Sequence, residues 1–157
     1  MGRTILDTIR HEFSDAVDPE QITRILLRLG MAALLGGLLG LQRESRRKAA
    51  GARTHMLVAM GAALFVLVPQ QGGMALADMS RVVQGVIAGI GFLGAGAILK
   101  NQADASIVGL TTAAGVWMTA AIGIACGLGR ESTAVLSTAL ALGVFAVVPR
   151  WTASRES

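Results

Sequence analysis

A single cysteine, Cys126, stands in the 157 residues, so the chain can close no internal disulfide. Its place inside an apolar run reads as that of a small buried residue. Proline is held to 3 while glycine reaches 20, about twice the average glycine usage of ~7%. Because those glycines lie inside apolar runs, they point to closely packed helices rather than to a flexible linker. No Asp, Glu or Lys falls in the middle of any apolar run, where proton-coupled transport ordinarily places one. A dehydrated divalent cation would likewise want converging carboxylates, although a hydrated Mg²⁺ needs fewer. There is no Walker loop, no Ser/His/Asp set and no Cys/His cluster. An enzyme is therefore not expected, and no cofactor or metal site is implied.

What is present is apolar surface. Hydrophobic residues make up 53% of the chain and the mean hydropathy is +0.60, the composition of an integral membrane protein. Residues 1–24 are mixed in charge, unlike the basic start and apolar core of a signal peptide, so the first apolar run is expected to be a retained helix. The formal charge is +4, but the bases sit at the ends of apolar runs. Attraction to an anionic leaflet accounts for them, and no nucleic-acid partner is expected.

The densest charge lies in LQRESRRKAAGARTHML, from Leu41 to Leu57, which holds Arg43, Arg46, Arg47, Lys48 and Arg53 with Glu44 as the lone acid. Flanked by two strongly apolar segments, it reads as a cytoplasmic loop that binds anionic lipid. With five spans, Lys100, Arg150 and Arg155 share its side, against Arg3, Arg10, Arg24, Arg81 and Arg130 on the other. The bias predicts a multi-pass protein with its N-terminus outside and its C-terminus in the cytoplasm.

Taken in order, residues 1–18 form an amphipathic N-terminal segment, with Ile5, Ile9, Phe13 and Val17 four apart among charges. The transmembrane domain occupies 19–150 and a short tail 151–157. Asp18-Pro19-Glu20-Gln21 is a helix start, with an acid to cap, Pro at the first position and Gln at the third. The first span runs from there to about Leu41 or a turn beyond, with Arg28 snorkelling to the headgroups. A second runs from about Thr54 to Val68, short for a crossing and stopped by Pro69. The third covers about Val82–Leu99 and the fourth about Ile107–Leu128, with Asp104 in the turn before it as cap or loop residue. The fifth covers about Thr133–Val148, ended by Pro149, with Arg150 and Trp151 at the interface. The fold expected is all-α, a polytopic membrane bundle of about five transmembrane helices behind a short amphipathic one.

Several constellations stand out. Gly36, Gly40 and Glu44 are four apart, so a continuing first helix carries a small-residue face with a carboxylate at its lip. Equally, Glu44 is spaced to pair with Arg47 or Lys48 on a wet surface. In the third span Gly85, Gly89 and Gly96 share one face and Gly91 and Gly94 the other, which describes a helix gripped from both sides. The alternative is a helix broken at Gly91–Gly96, as in transporter sites. Its GIGFLG matches a dinucleotide fingerprint only by coincidence, since the preceding strand, the soluble βαβ unit and the acid about 20 residues on are all missing. Thr112, Gly115, Thr119, Gly123 and Cys126 form one stripe on the fourth span, read as hydroxyls bonding neighbouring carbonyls. His55, alone, is weak ground for a metal.

Four stretches, taken together, resemble the MgtC/SapB (YhiD-like) membrane domain. They are Gly40-Leu41-Gln42-Arg43-Glu44, Gly51-Ala52-Arg53-Thr54-His55-Met56-Leu57, GIGFLGAGAIL from Gly89 to Leu99, and Gly109-Leu110-Thr111-Thr112-Ala113-Ala114 followed by Trp117. The resemblance covers about Gln21 to Val148, and Gln42 stands where that family often has Glu. It implies a bacterial inner-membrane protein linked to growth under magnesium limitation and to survival in host cells. For the best-known member it also implies restraint of the F-type ATP synthase. The family-motif candidates are Arg43, Glu44, Arg53, Thr54, His55, Thr111 and Thr112, gathered at the cytoplasmic ends of three spans, with Glu44 placed to pair with Arg53. The expected activity is regulation through helix contacts with membrane partners, including a second copy of itself. The competing expectation is a divalent-cation channel or transporter for Mg²⁺.

Overall fold

The computed structural model describes residues 2–12, 18–100 and 107–153. Among them the chain forms α1 (Gly2–Glu12), α2 (Pro19–Ser45), α3 (Ala52–Gln71), α4 (Leu76–Ala97), α5 (Leu110–Gly127) and α6 (Glu131–Ala153). Two short strands, β1 (Leu99–Lys100) and β2 (Ile107–Val108), join α4 to α5. The expected roles of Phe13, Val17, Asp104 and Arg155 lie outside the described residues, as do the side chains of Arg150 and Trp151.

Helix α1 keeps Ile5, Leu6 and Ile9 exposed, the apolar stripe of an amphipathic helix with no cover from the bundle. Helix α2 begins as its sequence dictates: the Asp18 carboxylate accepts from the Glu20 N–H at 3.0 Å, and Pro19 occupies a position whose N–H has no helical partner. It then runs 27 residues to Ser45.

The core is built from small side chains on four helices. Ala32, Leu35 and Leu39 of α2, Ala59 and Ala63 of α3, Ile122 and Cys126 of α5 and Ala134 of α6 are buried together. Outside this core Leu57, Phe65, Phe92, Leu136 and Leu140 stand exposed. Such a belt would aggregate in water, whereas in hydrocarbon it is at home. Among the described residues α2, α3, α4 and α5 are long and apolar enough to cross a membrane, and the apolar part of α6 is Glu131–Val147.

Three boundaries differ from the sequence reading, each for a local reason. Helix α3 spans 20 residues with Pro69 inside its last turn, so it is long enough to cross after all. A proline so close to a C-terminus removes one hydrogen bond and leaves the turns before it intact. Helix α6 likewise passes position 149. The carbonyl that Pro149 cannot bond is that of Phe145, four residues back, and the Gln42 amide donates to it from α2 at 3.3 Å. Helix α4 starts at Leu76, inside the stretch expected to be loop, and ends at Ala97. There Leu99 and Lys100 pair antiparallel with Val108 and Ile107. Gly109 then turns the chain into α5 at φ +94°, where a side chain would run into the Ala97 carbonyl.

Candidate functional site

The site forms where the basic loop returns the chain from α2 to α3. Gly36 and Gly40 face the start of α3: a Cβ at Gly36 would lie 2.6 Å from the His55 carbonyl oxygen, and one at Gly40 2.5 Å from the Ala52 Cα. Only hydrogen fits between these backbones. Beyond them Glu44 folds over the loop, and its Oε2 accepts from the Ala52 N–H at 3.0 Å. Gly51, at the N-cap of α3, has no side chain to offer, so the carboxylate from α2 caps that helix instead. This is where the expected Glu44–Arg53 pair fails. Glu44 accepts at the helix start, Arg53 with Thr54 is exposed on α3, and the described residues show no Glu44–Arg53 ion pair.

His55 is wholly buried, and its Nδ1 lies 2.9 Å from the Gly51 carbonyl oxygen. A carbonyl only accepts, so Nδ1 carries a proton and donates to it. That Nε2 has no partner among the described residues. It borders the place a side chain at Gly115 would take, 3.6 Å away, and the Phe145 ring borders the same place at 3.3 Å. The Arg43 guanidinium lies over that ring, 4.5 Å from its centroid. Arg43 is 4% exposed, yet its Nε and Nη2 are unpartnered among the described residues, as is the Oε1 of Gln42. Nε and Nη2 form the side-on edge by which an arginine grips a carboxylate or phosphate with two parallel bonds. Phe145 on α6 is the common neighbour: Arg43 and Gln42 of α2 reach its ring and its carbonyl, while its ring and the His55 Nε2 of α3 both border Gly115 of α5. Thr112 is buried one turn earlier on α5 and Thr111 is exposed. Among the described residues no group of three His, Cys, Asp or Glu side chains could hold a metal.

Gln42 and Phe145 are the members that sequence reasoning missed. The available signal was Pro149, whose missing N–H requires a donor for the Phe145 carbonyl. Sequence reasoning also misread Arg28 as reaching for headgroups. Its Nη1 donates to Gln70 Oε1 at 2.5 Å and to the Gly127 carbonyl at 2.9 Å, tying the far ends of α3 and α5 to α2.

The glycines divide differently from expectation. Gly85, Gly89, Gly91 and Gly96 on α4 meet nothing within 4 Å, and Gly94 alone has a neighbour, the Ala113 Cβ at 3.6 Å. Helix α4 is neither gripped on two faces nor broken at Gly91–Gly96, since it continues unbroken to Ala97. The gripped helix is α3. Gly36 and Gly40 press on it from α2, while Gly123 and Gly127 of α5 lie against the Ala59 and Ala63 carbonyls. On α5 the whole stripe of Thr112, Gly115, Thr119, Gly123 and Cys126 is buried, and Thr119 donates to the Gly115 carbonyl at 2.9 Å.

A bundle of long helices with an apolar outer belt and its polar groups gathered at the helix ends is a polytopic α-helical membrane protein. The profile of the MgtC family matches residues 29–153, and the chain belongs to that family. It is similar to YhiD of Escherichia coli strain K12, with 42% identity over 130 residues that cover 78% of this chain and 59% of YhiD. It is similar also to SrpB of Synechococcus elongatus, 46% identical over 122 residues, covering 71% of this chain and 67% of SrpB. To MgtC of Brucella abortus strain 2308 the identity is 43% over 122 residues, covering 76% of this chain and 49% of that protein. The chain thus spans about half to two thirds of the length of these relatives. No solved structure matches it.

Proposed function

We propose that the chain is a regulatory or helper protein of the bacterial inner membrane, without enzymatic activity, that acts by helix contact with other membrane proteins. In this reading it serves adaptation to low magnesium, acid or host stress. Its basic end faces the cytoplasm, with the N-terminus outside and the C-terminus inside. The F-type ATP synthase is the partner suggested by the family resemblance, and self-association accompanies the activity.

The observation that carries this reading is the Arg43 edge. A guanidinium held at 4% exposure, with Nε and Nη2 unpaired among the described residues, carries a desolvation cost that the Phe145 ring offsets in part and a well-placed acceptor would offset further. A carboxylate brought by a partner helix supplies that acceptor when the bundle opens over the buried edge. The variant Arg43→Met keeps the side chain's volume and removes the charge, so it should fold at least as well as wild type while losing the partner's response. ATP-driven proton pumping in inverted vesicles containing the synthase measures that response. The reading predicts less pumping with the wild-type chain and full pumping with Arg43→Met. Equal pumping with and without the wild-type chain would overturn the ATP synthase as partner.

A second reading has its own support. YhiD of E. coli K12 bears the name of a candidate magnesium transporter, and Glu44 lies exposed at the mouth of the basic end. Liposomes reconstituted with this chain decide the matter. Mg²⁺ flux that Glu44→Ala abolishes would establish a transporter, and no flux alongside intact inhibition of the synthase would establish the helper.

A further inference from the structure

Between α3 and α4 runs an open groove of about 610 Å³, floored by Gly61 of α3 and by Gly85 and Gly89 of α4, with Leu57, Phe65 and Leu93 on its walls. All three glycines meet nothing within 4 Å, so the hollow exists because side chains are missing from both walls. From Leu57 to Phe65 it is about 12 Å long at 1.5 Å rise per residue, close to the depth of one hydrocarbon leaflet, about 15 Å. Dividing volume by length leaves a cross-section of about 50 Å². An extended acyl chain fits that section, and the side chains and glycines that line it are apolar throughout.

The groove has a charged end. Arg53 precedes Leu57 by four residues and Leu57 precedes Gly61 by four, so the three lie along one face of α3. Arg53 therefore stands one turn beyond the hydrocarbon part, exposed. The acid nearest to it in sequence, Glu44, is engaged with the Ala52 N–H. Exposed Arg46 and Arg47 in the adjoining loop add to the field at that end. An apolar slot one leaflet deep, closed at headgroup level by a cation with no ion pair among the described residues, suits an anionic phospholipid.

We propose that the α3–α4 groove holds one anionic glycerophospholipid from the leaflet at the basic end, its acyl chain lying over Gly85 and Gly89 and its phosphate held by Arg53. Gly85 and Gly89 of α4, which meet nothing within 4 Å, are the seat of that acyl chain.

The test uses the full chain in nanodiscs of mixed phosphatidylglycerol and phosphatidylcholine, followed by quantification of the lipid that survives detergent extraction. Wild type should retain lipid enriched in phosphatidylglycerol. Arg53→Gln should lower that enrichment about five-fold, the weight of one basic residue near an anionic surface, and Gly89→Leu should lose bound lipid of both kinds. Gly96→Leu, on α4 but outside the groove, should retain it. A phosphatidylglycerol carrying a photoreactive acyl chain needs no variant, and with wild type it should label Leu57–Phe65 and Val82–Leu93. Labelling spread evenly over α5 and α6, equal retention by Gly89→Leu, or a disulfide joining two protomers through Gly89→Cys would each overturn the proposal, the last by assigning the groove to a second copy.

Discussion

Helices α3 and α4 are neighbours of similar length, yet one is packed as tightly as backbones allow and the other is left largely open. Helix α4 holds Gly85, Gly89, Gly91, Gly94 and Gly96, whereas α3 has Gly61 alone between Ala52 and Gln71. It is nevertheless α3 that α2 and α5 enclose, because the glycines that permit contact are on those partners. What a glycine accomplishes depends on whether a backbone lies opposite it. At Gly123 and Gly127 the carbonyls of Ala59 and Ala63 do; at Gly85 and Gly89 nothing does.

This contrast can be broken at its strongest point by Gly123→Leu. The side chain would enter the Ala59 carbonyl and force α3 from α5, at a cost of about 3 kcal/mol or more, read as loss of folded protein in a detergent unfolding titration. Next comes Arg28→Met, which leaves the Gln70 oxygen and the Gly127 carbonyl without their donor. About 1–3 kcal/mol should be lost in the same titration. Gln42→Glu should cost a similar or slightly smaller amount, since a carboxylate has no proton for the Phe145 carbonyl that Pro149 leaves free. Restoring a donor at Phe145 with Pro149→Ala should recover most of the loss, which a double-mutant cycle would report. Glu44→Ala should cost about 1 kcal/mol by uncapping α3, visible as faster hydrogen exchange at Ala52 and Arg53. Smallest, and opposite in sign, Gly85→Ala and Gly89→Ala should raise stability by up to about 0.5–1 kcal/mol, because alanine meets no neighbour and favours the helix. A loss as large as that of Gly123→Leu would show that α4 is gripped after all.

Two arginines extend the comparison to the ends of the bundle. Arg28 is satisfied by Gln70 and Gly127 and reads as a fastener. Arg43 is the more buried of the two, yet holds an unused bidentate edge over Phe145. From sequence Arg28 is a lone base within an apolar run and Arg43 the first of a basic cluster, and both read as reaching for water or headgroups. Burial and partners separate them, and neither quantity is written in the local pattern.

Much of the frame was legible. The Asp18-Pro19 start, the continuation of α2 past Leu41 and the buried stripe from Thr112 to Cys126 follow from capping chemistry and helical spacing. The prolines misled at α3 and α6, because a proline in a last turn removes one bond rather than ending the helix. Glu44 misled for another reason. Several donors lay within its reach in sequence, and only the closeness of α2 and α3 at Gly40 gave the Ala52 N–H the preference. The β1–β2 hairpin was missed because two residues on each side carry too little pattern to be seen.

The sequence by itself determined that hydrocarbon is the solvent of this chain and that its cations stay at helix ends. Transfer free energy is a sum over composition along each run, independent of what the run packs against. Which glycines touch backbone, which arginine is satisfied and where the groove opens were decided only in the tertiary structure. Those are properties of pairs of helices, set by whichever surfaces approach within a side chain's width, and no single segment contains them.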